Sequence, residues 1–582
     1  MLGSSEFPRR DRRVDATGRR PRDRRRYADR RPLPPVTEFG TVPIPKRSST
    51  TRPEPRGSAG AAPGTPASMT PGRTALIAGA AALIAAGCTI GPPYVPPGAP
   101  ATQRYTGGAQ PGHTVVGAAG TAQHFVYGEK LNAQWWTLFR STELDRLLRT
   151  TLRRNPTLEA ARATLRQARD TLEADEGAFY PQVSGQLGAK RQRFSGAVFG
   201  GGLPSRIFNL YTGGLDVSYY PDFFGANRLV YHQQKAHVDY RRFQMQAAYL
   251  TLESNVVSLA ITAAELREQI RATHTILADE RTLLTLTGQR YRLGAVPYLD
   301  VINQRSRLAV TRAGLPPLEQ QLARTRHRLA ILSGEYPSQW KGYAWTLAGL
   351  RLPLELPVSL PSALVQQRPD IRAAEAQMRA ANAQIGIDTA RMYPVVSLTA
   401  SFGQQGALPR KLFDSAGNVW GLAADLTQPL FQGGLLRAQR RASREAYRAM
   451  AADYRKTVLG AFAQVADALR AVENGARTLR AQRQALAAAR EALGLARSQY
   501  AAGAADYLRV LTAQIAFRNA CIRTLQARAG RLRDTTALFA AIGGGWWPQP
   551  GGAKASAGGG HGDRSGPIPP ASEAAANKRG TP

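Results

Sequence analysis

Seven histidines (His113, His124, His232, His237, His274, His327 and His561) and two cysteines (Cys88 and Cys521) are the residues from which a metal centre or a nucleophile would be built. Their spacing builds neither. His232 and His237 stand five apart on a helical pattern, where a metal-binding pair one turn apart would stand three or four apart. No HExxH, phosphate loop or nucleophile elbow occurs. Two cysteines supply no disulfide framework, and Cys521, on an amphipathic helical pattern, reads as a small packed residue. The sequence therefore predicts no catalytic residue, no metal site and no cofactor. Two features still carry chemistry. Cys88 follows a short apolar run, and Asp300 and Arg509 place opposite charges at the same position of a repeated stretch.

The apolar run spans Ala75 to Gly87 behind a short basic start at Met69–Arg73. That is the layout of a secretory signal, and it is too short to span a bilayer, which takes about 20 residues. The order Leu83, Ile84, Ala85, Ala86, Gly87, Cys88 resembles a bacterial lipobox, with Ala85 where leucine is usual. It implies cleavage after Gly87 and acylation of Cys88. Thr89 follows, where aspartate would signal inner-membrane retention, so the resemblance directs the lipoprotein to the outer membrane. Residues 1–68 are rich in Arg, Pro, Gly and Ser and cannot bury enough apolar surface to order themselves. Because a signal belongs at the N-terminus, translation is expected to start at Met69. Residues 88–140 open with a Pro-rich stretch, Gly91–Gly98, whose prolines disfavour helix. They read as an extended, lipid-anchored leader.

The repeated stretch is Tyr291, Gly294, Tyr298, Leu299 and Val301, which returns as Tyr500, Gly503, Tyr507, Leu508 and Val510 at a constant offset of 209 residues (291 to 500). Each copy ends one very long helical pattern and begins another, so each is expected to be the tip of a helical hairpin. Glycine accepts positive φ, which suits Gly294 and Gly503 to the reversal. The preceding helices, roughly 226–290 and 435–499, would each run about 100 Å at 1.5 Å per residue.

The rest of each half repeats too. Asn155 and Pro156 open a helical segment that closes at Tyr180 and Pro181, and Arg368, Pro369 and Asp370 open one that closes at Tyr393 and Pro394. Strict alternation follows: Val183, Gly185, Leu187 and Ala189 in one half, Val396, Leu398, Ala400 and Phe402 in the other. Alternation predicts strands with one apolar face. Second strands are expected over 210–220 and 418–428. The two repeats are placed at 141–335 and 362–542, joined by a linker at 336–361 and followed by a Gly-, Ala- and Pro-rich tail, 543–582, read as disordered. Four strands cannot close a barrel, and open edges are not tolerated in lipid. A barrel shared between subunits resolves this.

The net charge of +36 first suggests nucleic acid. Yet sixteen Lys and Arg lie in the first 68 residues, and the others are spread along helices rather than gathered in a stripe. No nucleic-acid partner is expected.

Together, the signal and lipobox, the duplicated helix–Tyr-Pro–strand units and the paired tips resemble the outer-membrane efflux proteins, the TolC-like channels, and specifically their lipidated NodT-type branch. The resemblance covers about residues 94–542. It implies a mainly α chain with a membrane β-barrel: duplicated helix–strand–strand–helix halves, a long coiled-coil α-barrel, and four strands per subunit of a 12-stranded barrel in a homotrimer. It implies a periplasmic adaptor and an inner-membrane pump, typically of the RND type, as partners. The function expected is a passive conduit for drugs or other small toxic compounds. A channel for type I protein secretion and a periplasmic coiled-coil adaptor are the alternatives. In the family, side chains near the tips close the entrance. That assigns Asp300, Arg509 and Tyr500 to the gate, and Gly294, Gly503, Tyr298 and Tyr507 to the tips on which the adaptor docks. The family commonly has Asp before the Val of both tips, which Asp300 matches and Arg509 does not.

Overall fold

The computed structural model describes residues 90–108, 110–115, 122–195 and 204–545. Residues 1–68, the signal 69–87 with Gly87, the Met69 start, Cys88 and residues 546–582 lie outside the described residues.

The two halves share one plan. The first contains β1 (His124–Tyr127), α1 (Thr142–Arg154), α2 (Pro156–Glu176), β2 (Gln182–Phe194), β3 (Arg206–Tyr219), α3 (Ala226–Arg292), α4 (Tyr298–Ala313) and α5 (Leu315–Leu332). The second contains β4 (Glu355–Val358), α6 (Pro361–Gln367), α7 (Pro369–Ala390), β5 (Val395–Gly406), β6 (Asn418–Thr427), α8 (Leu435–Ala501) and α9 (Tyr507–Ala541). Helices α3 and α8 are both 67 residues long, about 100 Å each. The helix that leaves the first tip breaks into α4 and α5 at Gly314, just before Pro316 and Pro317. Proline lacks an N–H and clashes with the preceding turn, so the helix restarts there. Its counterpart α9 has no proline and runs unbroken for 35 residues.

In each half the proline-started helix stacks on the end of the helix that leaves the tip, and the residue before the proline makes the joint. Asn155 caps α2 by accepting from Leu158 N at 3.1 Å, and its Nδ2 donates to Leu332 O, the last carbonyl of α5, at 2.8 Å. Arg368 precedes α7 and donates from Nη1 to Ala541 O, the last carbonyl of α9, at 2.5 Å. Carbonyls at a helix end have no intrahelical partner, and a cationic donor there also complements the helix dipole. Asp370 and Gln464 hold the Arg368 guanidinium at 2.6 and 2.8 Å.

The strands form one antiparallel sheet in the order β2-β3-β5-β6. The β3–β5 pair joins the two halves, and its backbones approach closely at glycines: a Cβ on Gly403 would meet Gly213 O at 2.7 Å. Register puts Val183, Val217, Ala400 and Leu422 in one row, and Gly185, Leu215, Phe402 and Trp420 in the next. The alternating sets of both halves therefore share one face, and it is bare: Leu187 is 90 %, Leu422 79 % and Trp420 74 % exposed. The opposite face carries Ser184, Asp216, Ser401 and Gly421 in one row, and Gln186 donates to Asp216 across it at 2.7 Å. A sheet with one bare apolar face and one polar face has the two-sided pattern of barrel strands rather than that of a soluble sheet packed on helices.

The main core lies along the middle of the helices. Leader and linker meet over it, where β1 pairs in parallel with β4. The leader is extended near its start but not throughout. Its residues Leu131, Trp135, Trp136 and Phe139 are all buried, because this apolar cluster folds a short 3-10 turn, Trp135–Phe139, into the core. Trp345, Leu347 and Leu350 of the linker are buried with them. Gly543, Gly544 and Gly545, at the start of the expected tail, continue the end of α9 and are also buried. By length and composition alone, one stretch of α3 is apolar enough to cross a membrane. The core residues Val256, Val257, Ala260 and Ile261 of that helix account for the apolar character without a membrane span.

Inside this core, Trp135 donates its indole N–H to Glu253 Oε2 at 3.1 Å. Burial raises the Glu253 carboxyl to about 8. The folded state then holds a proton that the unfolded chain has released, so stability is greatest below the usual carboxyl range and falls as pH rises towards 8. Thermal unfolding across this range should show that slope, and Glu253→Gln should remove most of it.

Candidate functional site

Both tips close with the same backbone device. At the first, Gly294 has φ 72°, Gly294 N donates to Tyr291 O at 2.9 Å, and Ala295 N donates to Arg290 O at 2.9 Å. At the second, Gly503 has φ 76°, with Gly503 N on Tyr500 O at 3.1 Å and Ala504 N on Gln499 O at 2.9 Å. This is a Schellman motif, whose left-handed residue favours glycine.

The next helices start differently. Pro297 flanks α4, whereas Asp506 caps α9 by accepting from Arg509 N at 3.1 Å. Asp300 lies in the first turn of α4, where the helix dipole favours a negative charge. Arg509 lies in the first turn of α9, where the dipole disfavours its charge and the Asp506 cap offsets it. Among the described residues, Asp300 and Arg509 form no ion pair within the chain. Burial, and then the carboxylate of Asp506, push the Asp300 carboxyl above its usual range.

The tyrosine pairs also part company. Tyr291 and Tyr298 pack at 5.2 Å and are 44 and 50 % exposed, while Tyr500 and Tyr507 pack edge-on at 5.9 Å and are each 3 % exposed. The first hairpin covers the second. Arg290 lies over the Tyr500 ring at 4.8 Å and donates to Tyr500 O at 2.6 Å, and Leu283 and Val296 pack against Tyr500, Tyr507 and Val510.

Above this contact a buried polar link ties the hairpins together. Tyr507 OH donates to Gln304 Oε1, and Gln304 Nε2 donates to Glu280 O at 2.8 Å. Thr311 donates to Glu280 Oε1 at 3.0 Å, Arg307 pairs with the same oxygen at 3.3 Å, and Arg518 of α9 donates to Thr311 at 3.2 Å. Burial raises the Glu280 carboxyl, and Thr311 and Arg307 oppose the shift. The sequence pointed to Tyr500 and Tyr507 but not to Arg290, Glu280, Gln304 or Arg307. A polar residue among apolar helical positions was the available signal: Gln304 falls three after Val301, on the buried stripe that continues to Thr311.

The arrangement holds geometry and makes or breaks no bond. A bare apolar sheet at one end of 67-residue helices, and two interlocked helical tips at the other, define a membrane-anchored channel subunit. A sequence model of the outer membrane efflux protein family matches residues 147–335 and 360–544, and the chain belongs to that family. It is 31 % identical over 417 residues to the pyoverdine export outer membrane protein OpmQ of Pseudomonas aeruginosa, covering 71 % of this chain and 87 % of the relative. It is 26 % identical over 469 residues to the probable outer membrane lipoprotein SilC of Salmonella typhimurium, covering 80 and 97 %. Its structure superposes on the outer-membrane channel OprN with a TM-score of 0.71 and 26 % identity, over 79 % of this chain and 100 % of OprN. The protein is thus a TolC-like outer-membrane channel of an efflux system, and not an enzyme. It is an outer-membrane component of a tripartite efflux system.

Gln304→Leu leaves the buried Tyr507 hydroxyl without its acceptor, at a cost of about 1–3 kcal/mol. Limited proteolysis should cut the tip segments 291–298 and 500–507 faster in this variant than in the wild type, while the sheet and the core remain resistant.

Proposed function

We propose that the chain works as a homotrimer whose twelve strands close a barrel and whose helices continue it as a tunnel through the periplasm. The observation that carries this reading is the sheet with one bare apolar face and two outer strands, β2 and β6, that have no neighbour on their far sides among the described residues. Hydrocarbon offers no hydrogen-bonding partner to such edges, so they must pair with strands of other copies. Acylated Cys88 anchors each subunit in outer-membrane lipid. Two residues later, Ile90 N donates to Phe224 O at 3.3 Å, beside the junction of β3 and α3, which supports an anchor at the membrane end of the body. Exposed Leu430 and Phe431, 92 and 90 % bare at the β6–α8 junction, suit the same boundary.

The tips lie about 100 Å of helix away from the sheet and form the periplasmic entrance. A periplasmic adaptor docks around Gly294, Tyr298, Gly503 and Tyr507, and an inner-membrane pump of the RND type supplies the energy. The cargo is a drug or another small toxic compound, and the relative named for pyoverdine export extends that class to small secreted metabolites. Asp300, Arg509 and Tyr500 hold the resting entrance. Tyr500 does so through the contact with Arg290. Since Asp300 and Arg509 do not meet within one chain, each acts on groups of neighbouring tips.

Two experiments test this reading. In planar bilayers, Asp300→Ala and Arg509→Ala should each raise the frequency of opening over the wild type, and unchanged closed-state behaviour in both would remove them from the gate. In the sheet, Leu422→Arg should cost about 2–4 kcal/mol if its row faces lipid near the midplane, and Ser401→Arg on the polar face should cost far less. Heat-modifiable migration of both variants reads the difference.

A further inference from the structure

Two histidines that no sequence spacing connects meet across a strand bridge. His113 of the leader and His124, the first residue of β1, form an isolated antiparallel bridge. Thr114 N donates to Gln123 O at 2.9 Å, and Phe125 N donates to Gly112 O at 3.0 Å. These bonds flank the histidines instead of joining them. That makes the two a non-hydrogen-bonded pair, the kind in which side chains stand closest, with Cα atoms about 4.5 Å apart. The imidazole centroids are 6.2 Å apart, with the ring planes at 40°. Both histidines are exposed, while Thr114 and Gln123, the next residues along, turn inwards and are buried. On the other side of β1, His124 is in register with Glu355 of β4, which is exposed as well.

We propose that His113 and His124 form a bidentate site for a divalent transition-metal ion of the class that prefers imidazole, with Glu355 as the adjacent carboxylate. Copper, nickel and zinc accept imidazole nitrogen, and Cu²⁺ binds such donors most tightly among first-row divalent ions. The backbone ladder already fixes both histidines side by side, so binding requires rotation of the side chains and no closure of a loop. Among the described residues no group of three or more His, Cys, Asp or Glu converges. Water fills the positions that the two imidazoles leave, until Glu355 turns towards the ion. The site is separate from the tips and from the sheet. Its occupation ties the leader segment 110–115 to β1, and so to the leader–linker strand pair that covers the core. An ion that binds only the folded pair stabilises it by mass action.

The test uses the purified full chain in a Cys521→Ser background, which removes the half-buried thiol, and Cu²⁺ as the probe. One tight equivalent per chain is expected, with an electron paramagnetic resonance spectrum showing two coordinated nitrogens and with a rise in the unfolding temperature. His113→Ala and His124→Ala should each weaken binding at least tenfold and abolish the two-nitrogen signature. Glu355→Gln should weaken it about tenfold, in the range usual for a supporting carboxylate. His274→Ala, which removes an exposed histidine elsewhere, should change nothing. Undiminished Cu²⁺ affinity in the His113→Ala/His124→Ala double variant would overturn the site. Unchanged affinity in Glu355→Gln would overturn the part given to the carboxylate.

Discussion

A backbone amide or carbonyl in hydrocarbon has no solvent to bond to, and this constraint shapes the molecule from the sheet outwards. Within one chain, β3 and β5 satisfy both sides, while β2 and β6 satisfy only one. Side chains follow the same division of environments. Among the described residues, nothing covers the face with Leu187, Phe402, Trp420 and Leu422, and the face with Gln186, Asp216 and Ser401 keeps its polar groups paired or wet. Gly213 and Gly214 of β3 and Gly403 of β5 let the backbones of the two halves approach closely. The sheet is therefore the element that a lone subunit leaves incomplete.

Duplication explains most of the rest, and departures from it mark where the halves do different jobs. The offset of 209 residues seen at the tips also holds for the ends of α3 and α8 and for the ends of α5 and α9. Joints in the two helical columns are built alike although their residues differ: Asn155 grips Leu332 O, and Arg368 grips the equivalent carbonyl of Ala541. At the tips equivalence fails. Tyr500 and Tyr507 are buried beneath the first hairpin, while Tyr291 and Tyr298 are exposed. Arg290 is the visible cause, because it reaches across to the second tip.

Local rules made much of this legible in the sequence. Proline after Asn155 and Arg368, the change from a helical to a two-residue period after each Tyr-Pro, and glycine at each reversal depend on backbone stereochemistry within a few residues, and a single chain displays them. The alternating sets even named the apolar face correctly. Other features needed the third dimension. The register that puts Gln304 beneath Tyr507, the bridge between His113 and His124, and the burial of Trp135 and Phe139 all join segments through long loops or across helices. No periodicity records such a meeting. The break at Gly314 was visible in Pro316 and Pro317, but the strong helical period on either side masked it. Asp300 and Arg509 stood out by their opposite charge, yet one chain does not bring them together.

Closure of the sheet by exactly three copies is the central claim, and disulfide mapping of its edges tests it most directly. Single cysteines would be placed along β2 and along β6 of one Cys521→Ser chain, with Cys88 retained, and oxidised in outer-membrane fractions. The account predicts that one register of paired positions links chains covalently, giving a ladder on non-reducing gels that ends at three. A bond that forms within a single chain, or a ladder that continues past three, would contradict it.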